Sequence, residues 1–294
     1  MFTAFLISIQ TFLKRTSNVL VALVKVVFLS KWFVKLPPIE TNEIAVLANG
    51  PSLEKDLKSL HQKSFSGEYM CVNYFPSSNK FTEIKPKFVV FCDASLFTTT
   101  ANHRLYSDNK TVFSNIYSKT TWPIYLFVPY SSKKNFLKLV AIHQLSNSNV
   151  HYTFYNTTNF NGNRGIFHSF YNKQLGMPDP RTVVTPCVML SINMGFKKVF
   201  LTGVDHNFHE GIKLDQDNKL LISIDHFYDE NEDRKYVPFK NPVTDEVYKM
   251  GELFEVLQKI FNSYGYIAKF AKKKDVQVLN CTETSFIDEF IKIK

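Results

Sequence analysis

Cysteine is scarce in this chain and scattered: Cys71, Cys92, Cys187 and Cys281 are its only four, and no two form a CxxC pair. That speaks against a cysteine-built zinc site and against a disulfide framework. Three of them lie in or beside apolar strand-like runs, which points to buried thiols in a reducing, cytoplasmic compartment. Acidic residues are missing altogether from positions 1–39, where Lys14, Arg15, Lys25, Lys31 and Lys35 stand, so this segment holds more than half of the formal charge of +9. The chain also lacks a comfortable membrane span, since those cations interrupt every apolar run before it reaches about 20 residues. A secretory signal is disfavoured because the charges do not precede the apolar stretch and no small-residue cleavage pattern follows. Basic and aromatic residues do not combine in a nucleic-acid motif, so despite the high pI a nucleic-acid partner is not expected. The only Asp-x-Asp string, Asp215-Gln216-Asp217, falls in a polar turn and not at a strand end. No metal and no cofactor are expected.

What is present suffices for a packed core: 294 residues, 45% of them hydrophobic and 15% aromatic. Residues 1–39 form the first unit. Phe2, Phe5, Leu6, Ile7, Ile9, Phe12 and Leu13 precede the Lys14-Arg15 pair, and Val19–Leu29 is broken only by Lys25. Cations spaced among Phe, Leu, Val and Trp32 suit an amphipathic helix lying on an anionic membrane surface with its lysines reaching to the headgroups. A helix packed on the domain itself or on a partner subunit is the other reading, and a homo-oligomer stays open. Pro37-Pro38 ends the segment, and residues 40–294 follow as one domain that should stay folded when residues 1–37 are deleted.

From Glu43 the pattern is strand, helix, strand, helix. Ile44–Leu47 is a short β-branched run that stops at Asn49-Gly50-Pro51-Ser52, and Glu54–Leu60 has helical leucine spacing. In such a unit the glycine lets a ligand approach the backbone, Ser52 can cap the helix, and the free N–H groups of the helix start can face a nucleotide phosphate. Further strands are expected at Tyr69–Asn73, Phe88–Asp93, Ile124–Val128, Val199–Asp205 and Val276–Cys281, with helices over 135–145, 186–194, 245–263 and 285–293. In a parallel sheet ligands collect beyond the carboxyl ends of the strands, so Asn49, Asn73, Asp93 and Asp205 should meet on one rim. Each of the first three is equally a turn former. Arg181 and Thr185 stand before the helix over 186–194, where a guanidinium and the helix dipole can hold a phosphate. The stretch 146–180, rich in Asn, Tyr and Phe without clear period, reads as a lid-like insertion. The expected fold is α/β: a single Rossmann-like domain with a mostly parallel sheet, that insertion, and the N-terminal amphipathic segment.

The order of Asn49-Gly50-Pro51-Ser52-Leu53, Asn73, Asp93-Ala94-Ser95-Leu96-Phe97, Arg181, Thr185 and Gly203-Val204-Asp205 resembles that in the bacterial sialyltransferases of lipooligosaccharide synthesis. Flagellin-glycosylation motif proteins look similar over the same core, roughly residues 43–290. The resemblance implies an inverting, metal-independent glycosyltransferase that takes a nucleotide sugar, CMP-sialic acid, and a glycan acceptor, working from the inner face of the cytoplasmic membrane. It casts Asn49, Gly50, Ser52 and Asn73 as donor contacts, while Asp93 replaces an asparagine of the family. It makes His226, within Asp225-His226-Phe227-Tyr228, the general base, a role suited to an imidazole that titrates near neutrality. His206 and His209 compete for it. Tyr155 and Tyr171 are the nominees for the tyrosine pair on the leaving phosphate. A same-fold transferase using another nucleotide sugar, or a non-catalytic membrane-attached assembly protein, fits the same residues.

Overall fold

A computed structural model describes residues 2–62, 64–100, 105–162, 165–223, 227, 236–241 and 244–293, with side chains from Thr16 onward and at Gln10. Eight parallel strands form its frame. They are β1 (Glu43–Leu47), β2 (Glu68–Val72), β3 (Phe88–Val90), β4 (Ile124–Pro129), β5 (Val150–Tyr155), β6 (Lys198–Thr202), β10 (Gln277–Asn280) and β11 (Ile291–Lys292), in the order β11-β10-β6-β1-β2-β3-β4-β5. The three short strands β7 (Ile212–Leu214), β8 (Leu220–Ile222) and β9 (Val237–Pro238) make a separate antiparallel sheet between β6 and the last helix. A Rossmann-like parallel sheet is thus what the strand-helix alternation builds.

The central strands are apolar on both sides because both sides are covered. Ile44, Val46, Met70, Val72, Phe88 and Val90 share one core with α1 (Phe2–Leu29), α6 (Gly165–Asn172), α7 (Val184–Met194) and α8 (Met250–Lys273). Ala45, Leu47, Cys71 and Val89 share the other with α2 (Leu53–Gln62), α4 (Tyr106–Lys119) and α5 (Lys133–Ile142). In that second core Phe91, Phe97, Phe113 and Phe136 touch in series at ring separations of 5.2 to 6.0 Å. The five-residue helix α3 (Lys80–Ile84) closes the β2–β3 connection.

Two expectations change on folding. Residues 146–180 are built in as a layer: β5 is an edge strand, α6 follows it, and Tyr155, Phe160, Phe167 and Tyr171 are buried in the core. Aromatic residues at irregular spacing look unpatterned in sequence because short packed turns impose no period. The segment 285–293 makes no helix among the described residues. Ser285 donates its hydroxyl to Val204 O at 2.6 Å, Phe286 N–H bonds Asp205 O at 3.0 Å, and β11 then pairs with β10, so its backbone is committed elsewhere. Ala22 and Val26 of α1 are buried in the main core. Ser30 donates its hydroxyl to Leu175 O at 2.5 Å and lies 2.8 Å from the Thr158 hydroxyl, and Asn156 holds the backbone of Lys31 through both ends of its amide. Deleting residues 1–37 would uncover this apolar face and orphan those polar groups.

Candidate active site

The chain leaves β1 toward β2 on one side and returns with β6 on the other, so the strand order switches between β1 and β6. At such a point the loops that follow the two strands diverge, and in open α/β sheets this is the ligand crevice. Here the two loops are Ala48–Ser52 and Gly203–His206. They are drawn together beyond the sheet: Ala48 N–H bonds Thr202 O at 3.0 Å and Gly50 N–H bonds Gly203 O at 2.9 Å. A Cβ on Gly50 would overlap the Gly203 carbonyl oxygen and Asp205 Oδ2, so this position tolerates only glycine for the sake of the neighbouring loop. Gly203, at φ 65°, takes the left-handed turn that lets the second loop approach.

The turn residue Ser52, just before α2, already carries the chain's own anion. Asp205 Oδ2 accepts from the Ser52 hydroxyl at 2.9 Å and from Ser52 N–H at 3.4 Å, while Oδ1 accepts from Thr284 Oγ1 at 3.3 Å. Ser52 therefore donates to a carboxylate and does not cap α2 through its hydroxyl. The same hydroxyl lies 3.0 Å from Asp56 Oδ2, which also accepts from Gly203 N–H at 2.8 Å and Thr282 Oγ1 at 2.6 Å. Burial raises the Asp56 carboxyl above its ordinary range, the bonds from Thr282, Gly203 and Ser52 pull the other way, and Asp205 nearby adds to the rise. Asp56 is the residue that motif reading passed over. It sits on the apolar face of α2 with Leu53, Leu57 and Leu60, and a carboxylate on a buried face is a signal in itself.

The other nominees divide by what already holds them. Asn73 turns out of β2 at φ 44° and its Oδ1 accepts Cys92 N–H at 3.4 Å, fastening the end of β2 to the end of β3. Asp93 caps the short turn Ala94–Phe97 by accepting Ser95 N–H at 2.8 Å, and it is exposed. Burial and the nearby Asp93 carboxylate push the Cys92 thiol up to about 12. Arg181 pairs through Nε with Asp179 Oδ2 at 3.2 Å in the loop before α7, and that loop meets the β3 end where Cys92 Sγ reaches Pro180 O at 3.5 Å. Thr185 is buried in the first turn of α7 with its N–H on Thr182 O. Tyr155 and Tyr171 donate their hydroxyls to Phe91 O and Phe160 O at 2.7 and 2.8 Å, and both rings are buried. In this structure both hydroxyls are spent on backbone carbonyls.

Asn49 is different. Its Oδ1 is buried and has no hydrogen-bond partner among the described residues, whereas its backbone carbonyl accepts Phe227 N–H at 3.0 Å. Phe227 also packs on Phe75, with ring centroids 5.6 Å apart. His226, Asp225 and Tyr228 lie outside the described residues. Of the competing histidines, His209 is exposed against Phe286, and His206 is buried with Nε2 on Tyr264 OH at 2.6 Å. Tyr264 OH in turn meets Thr182 Oγ1 at 2.9 Å, which ties the loop before α7 to the loop after β6.

No protein-family model and no curated protein matches this chain. Among solved structures it is similar to a sialyltransferase from Campylobacter jejuni in complex with a substrate analogue, CMP-3FNeuAc, at 13% identity and a TM-score of 0.42, over 86% of each chain. It is also similar to a Maf glycosyltransferase from Magnetospirillum magneticum at 12% identity and a TM-score of 0.46, over 90% of this chain and 35% of that one. Likenesses this distant carry nothing about ligand or activity.

Among the described residues no group of three His, Cys, Asp or Glu side chains is placed to hold a metal ion.

Proposed function

We propose that the protein is an inverting glycosyltransferase that moves sialic acid or a related sugar from a CMP-sugar to a cell-surface glycan. The observation that carries this reading is the hydrogen bond from Phe227 N–H to Asn49 O, because it fastens a residue of the Asp225-His226-Phe227-Tyr228 segment to the loop proposed to hold the donor. Beside that bond the buried Oδ1 of Asn49 is an acceptor that a ribose hydroxyl or a base amino group would satisfy. Arg181 and the NH2 of Asn73 would meet the phosphate and the remaining polar edge of the nucleotide. Asp93, Asp205, Gly50, Ser52 and Thr185 shape the loops that present these groups.

His226 would take the proton of the acceptor hydroxyl as that oxygen attacks the anomeric carbon. The bond from that carbon to the donor phosphate breaks on the opposite face, and CMP leaves with the electron pair. Positive charge near the leaving phosphate would come from Arg181, since Tyr155 and Tyr171 spend their hydroxyls in the core.

The test is transfer from a panel of CMP-, UDP- and GDP-sugars by the wild-type chain and by His226→Ala. Transfer from the CMP-sugar is expected, with turnover lowered roughly 10²–10⁴-fold in the variant and donor affinity nearly kept. Transfer from UDP- or GDP-sugars alone would replace the donor class. Absence of both transfer and nucleotide binding would favour an assembly role.

A further inference from the structure

Helix α1 has two faces that the tertiary structure treats differently. Ala22, Val26 and Ser30 turn inward and are buried, and Lys25 reaches Asn159 Oδ1 at 2.9 Å and its carbonyl oxygen at 3.1 Å. These contacts fix the helix on the domain. The opposite face carries Leu20, Val24, Val27 and Phe28, each more than half exposed, and the chain then presents Trp32 and Phe33. Phe33 is 92% exposed and holds φ 60°, a conformation that phenylalanine rarely adopts. Scattered surface leucines need no explanation, but a contiguous apolar strip ending in two exposed aromatic rings does.

We infer that this outward face of α1, together with Trp32 and Phe33, docks on an anionic lipid surface, with α1 lying in the plane of the interface. Three features select that occupant. Residues 1–39 carry five cations and no acid, and Lys35 is exposed beside the aromatic pair, so the segment's net charge is complementary to anionic headgroups. Indole and phenyl rings suit the headgroup boundary, where an apolar body and nearby water coexist. A second copy of the chain is a poorer fit, because a two-fold contact through this strip would set one set of cations against its own image. The C-terminal part of the helix is held on the domain through Ala22 and Val26, and no helix among the described residues is long and apolar enough to cross a membrane. The inferred mode is therefore a fixed platform resting on the membrane.

Full-length protein would be mixed with vesicles of phosphatidylcholine alone and of phosphatidylcholine with phosphatidylglycerol, and sedimented. The wild type should partition onto the anionic vesicles. The double variant Trp32→Ser/Phe33→Ser should lose about tenfold or more of that partition, while Ile142→Ser, which removes an exposed apolar residue on α5, should not. Because Trp32 and Phe33 are exposed, the double variant should keep the wild-type melting temperature. Wild-type protein that stays in the supernatant, or equal partition of wild type and double variant, would overturn the inference. So would a wild-type dimer, seen without vesicles, that the double variant abolishes. The readout is binding and not sugar transfer, so it stands or falls separately from the donor reading.

Discussion

His206 gives the most quantitative test of how the rim is built. The side chain is buried among Phe208, Phe261 and Tyr264, with ring centroids 5.0, 6.4 and 5.5 Å away, and burial lowers its imidazole from 6.5 to about 3. In the unfolded chain the same imidazole protonates near its ordinary value. Below that value the folded state binds fewer protons, so the contribution of His206 to stability is complete above pH 6.5 and is lost as the pH falls toward about 3. A shift of this size makes the loss at pH 5 about 2 kcal/mol relative to pH 7. With a urea dependence of about 2–3 kcal/mol/M, the unfolding midpoint should drop by roughly 0.7–1 M over that interval from this group alone. His206→Asn is the suitable perturbation, since asparagine tolerates the φ of 54° found here and does not titrate. Urea unfolding of wild type and variant at pH 7, 6 and 5 should show a shallower pH dependence in the variant by that amount, the other histidines cancelling in the difference. Parallel curves would refute the reasoning. A neutral, buried His206 bonded to Tyr264 would also leave the acid limb of the transfer rate to another group.

Three further outcomes follow from the rim. Asn49→Ala should weaken CMP binding in calorimetry by about twofold to tenfold, the worth of one hydrogen bond of 0.5–1.5 kcal/mol, with little change in melting temperature because Oδ1 has no partner to lose among the described residues. Gly50→Ala should destabilise the fold by about 1–3 kcal/mol in denaturant unfolding, as the added methyl pushes against the Gly203 carbonyl and Asp205; an unperturbed variant would mean the two loops are not zipped as described. Tyr155→Phe and Tyr171→Phe should each cost about 1 kcal/mol of stability and leave turnover per folded molecule unchanged, whereas a selective fall in turnover would return a hydroxyl to the phosphate.

Period and composition determined the frame. β1 to β4, β6 and β10 were legible because strands buried on both faces read as short apolar runs ending in turn residues, and α5, α7 and α8 because leucine-type spacing marks a helix. The rim was legible as a place, since residues that follow parallel strands share one end of the sheet wherever the strands lie in order. What each rim residue does was decided only by tertiary contacts between segments far apart in the chain. Asp205 turned from a ligand candidate into the anion at the turn before α2 because Gly50 and Gly203 bring its loop within hydrogen-bond reach of Ser52. Tyr155 and Tyr171 went inward because the Phe91 and Phe160 carbonyls lay within reach of their hydroxyls. Asn49 kept a buried oxygen unpaired among the described residues. Hydrophobic periodicity is local and survives in the sequence, but hydrogen-bond partners are chosen in three dimensions, after the chain has brought distant donors and acceptors together.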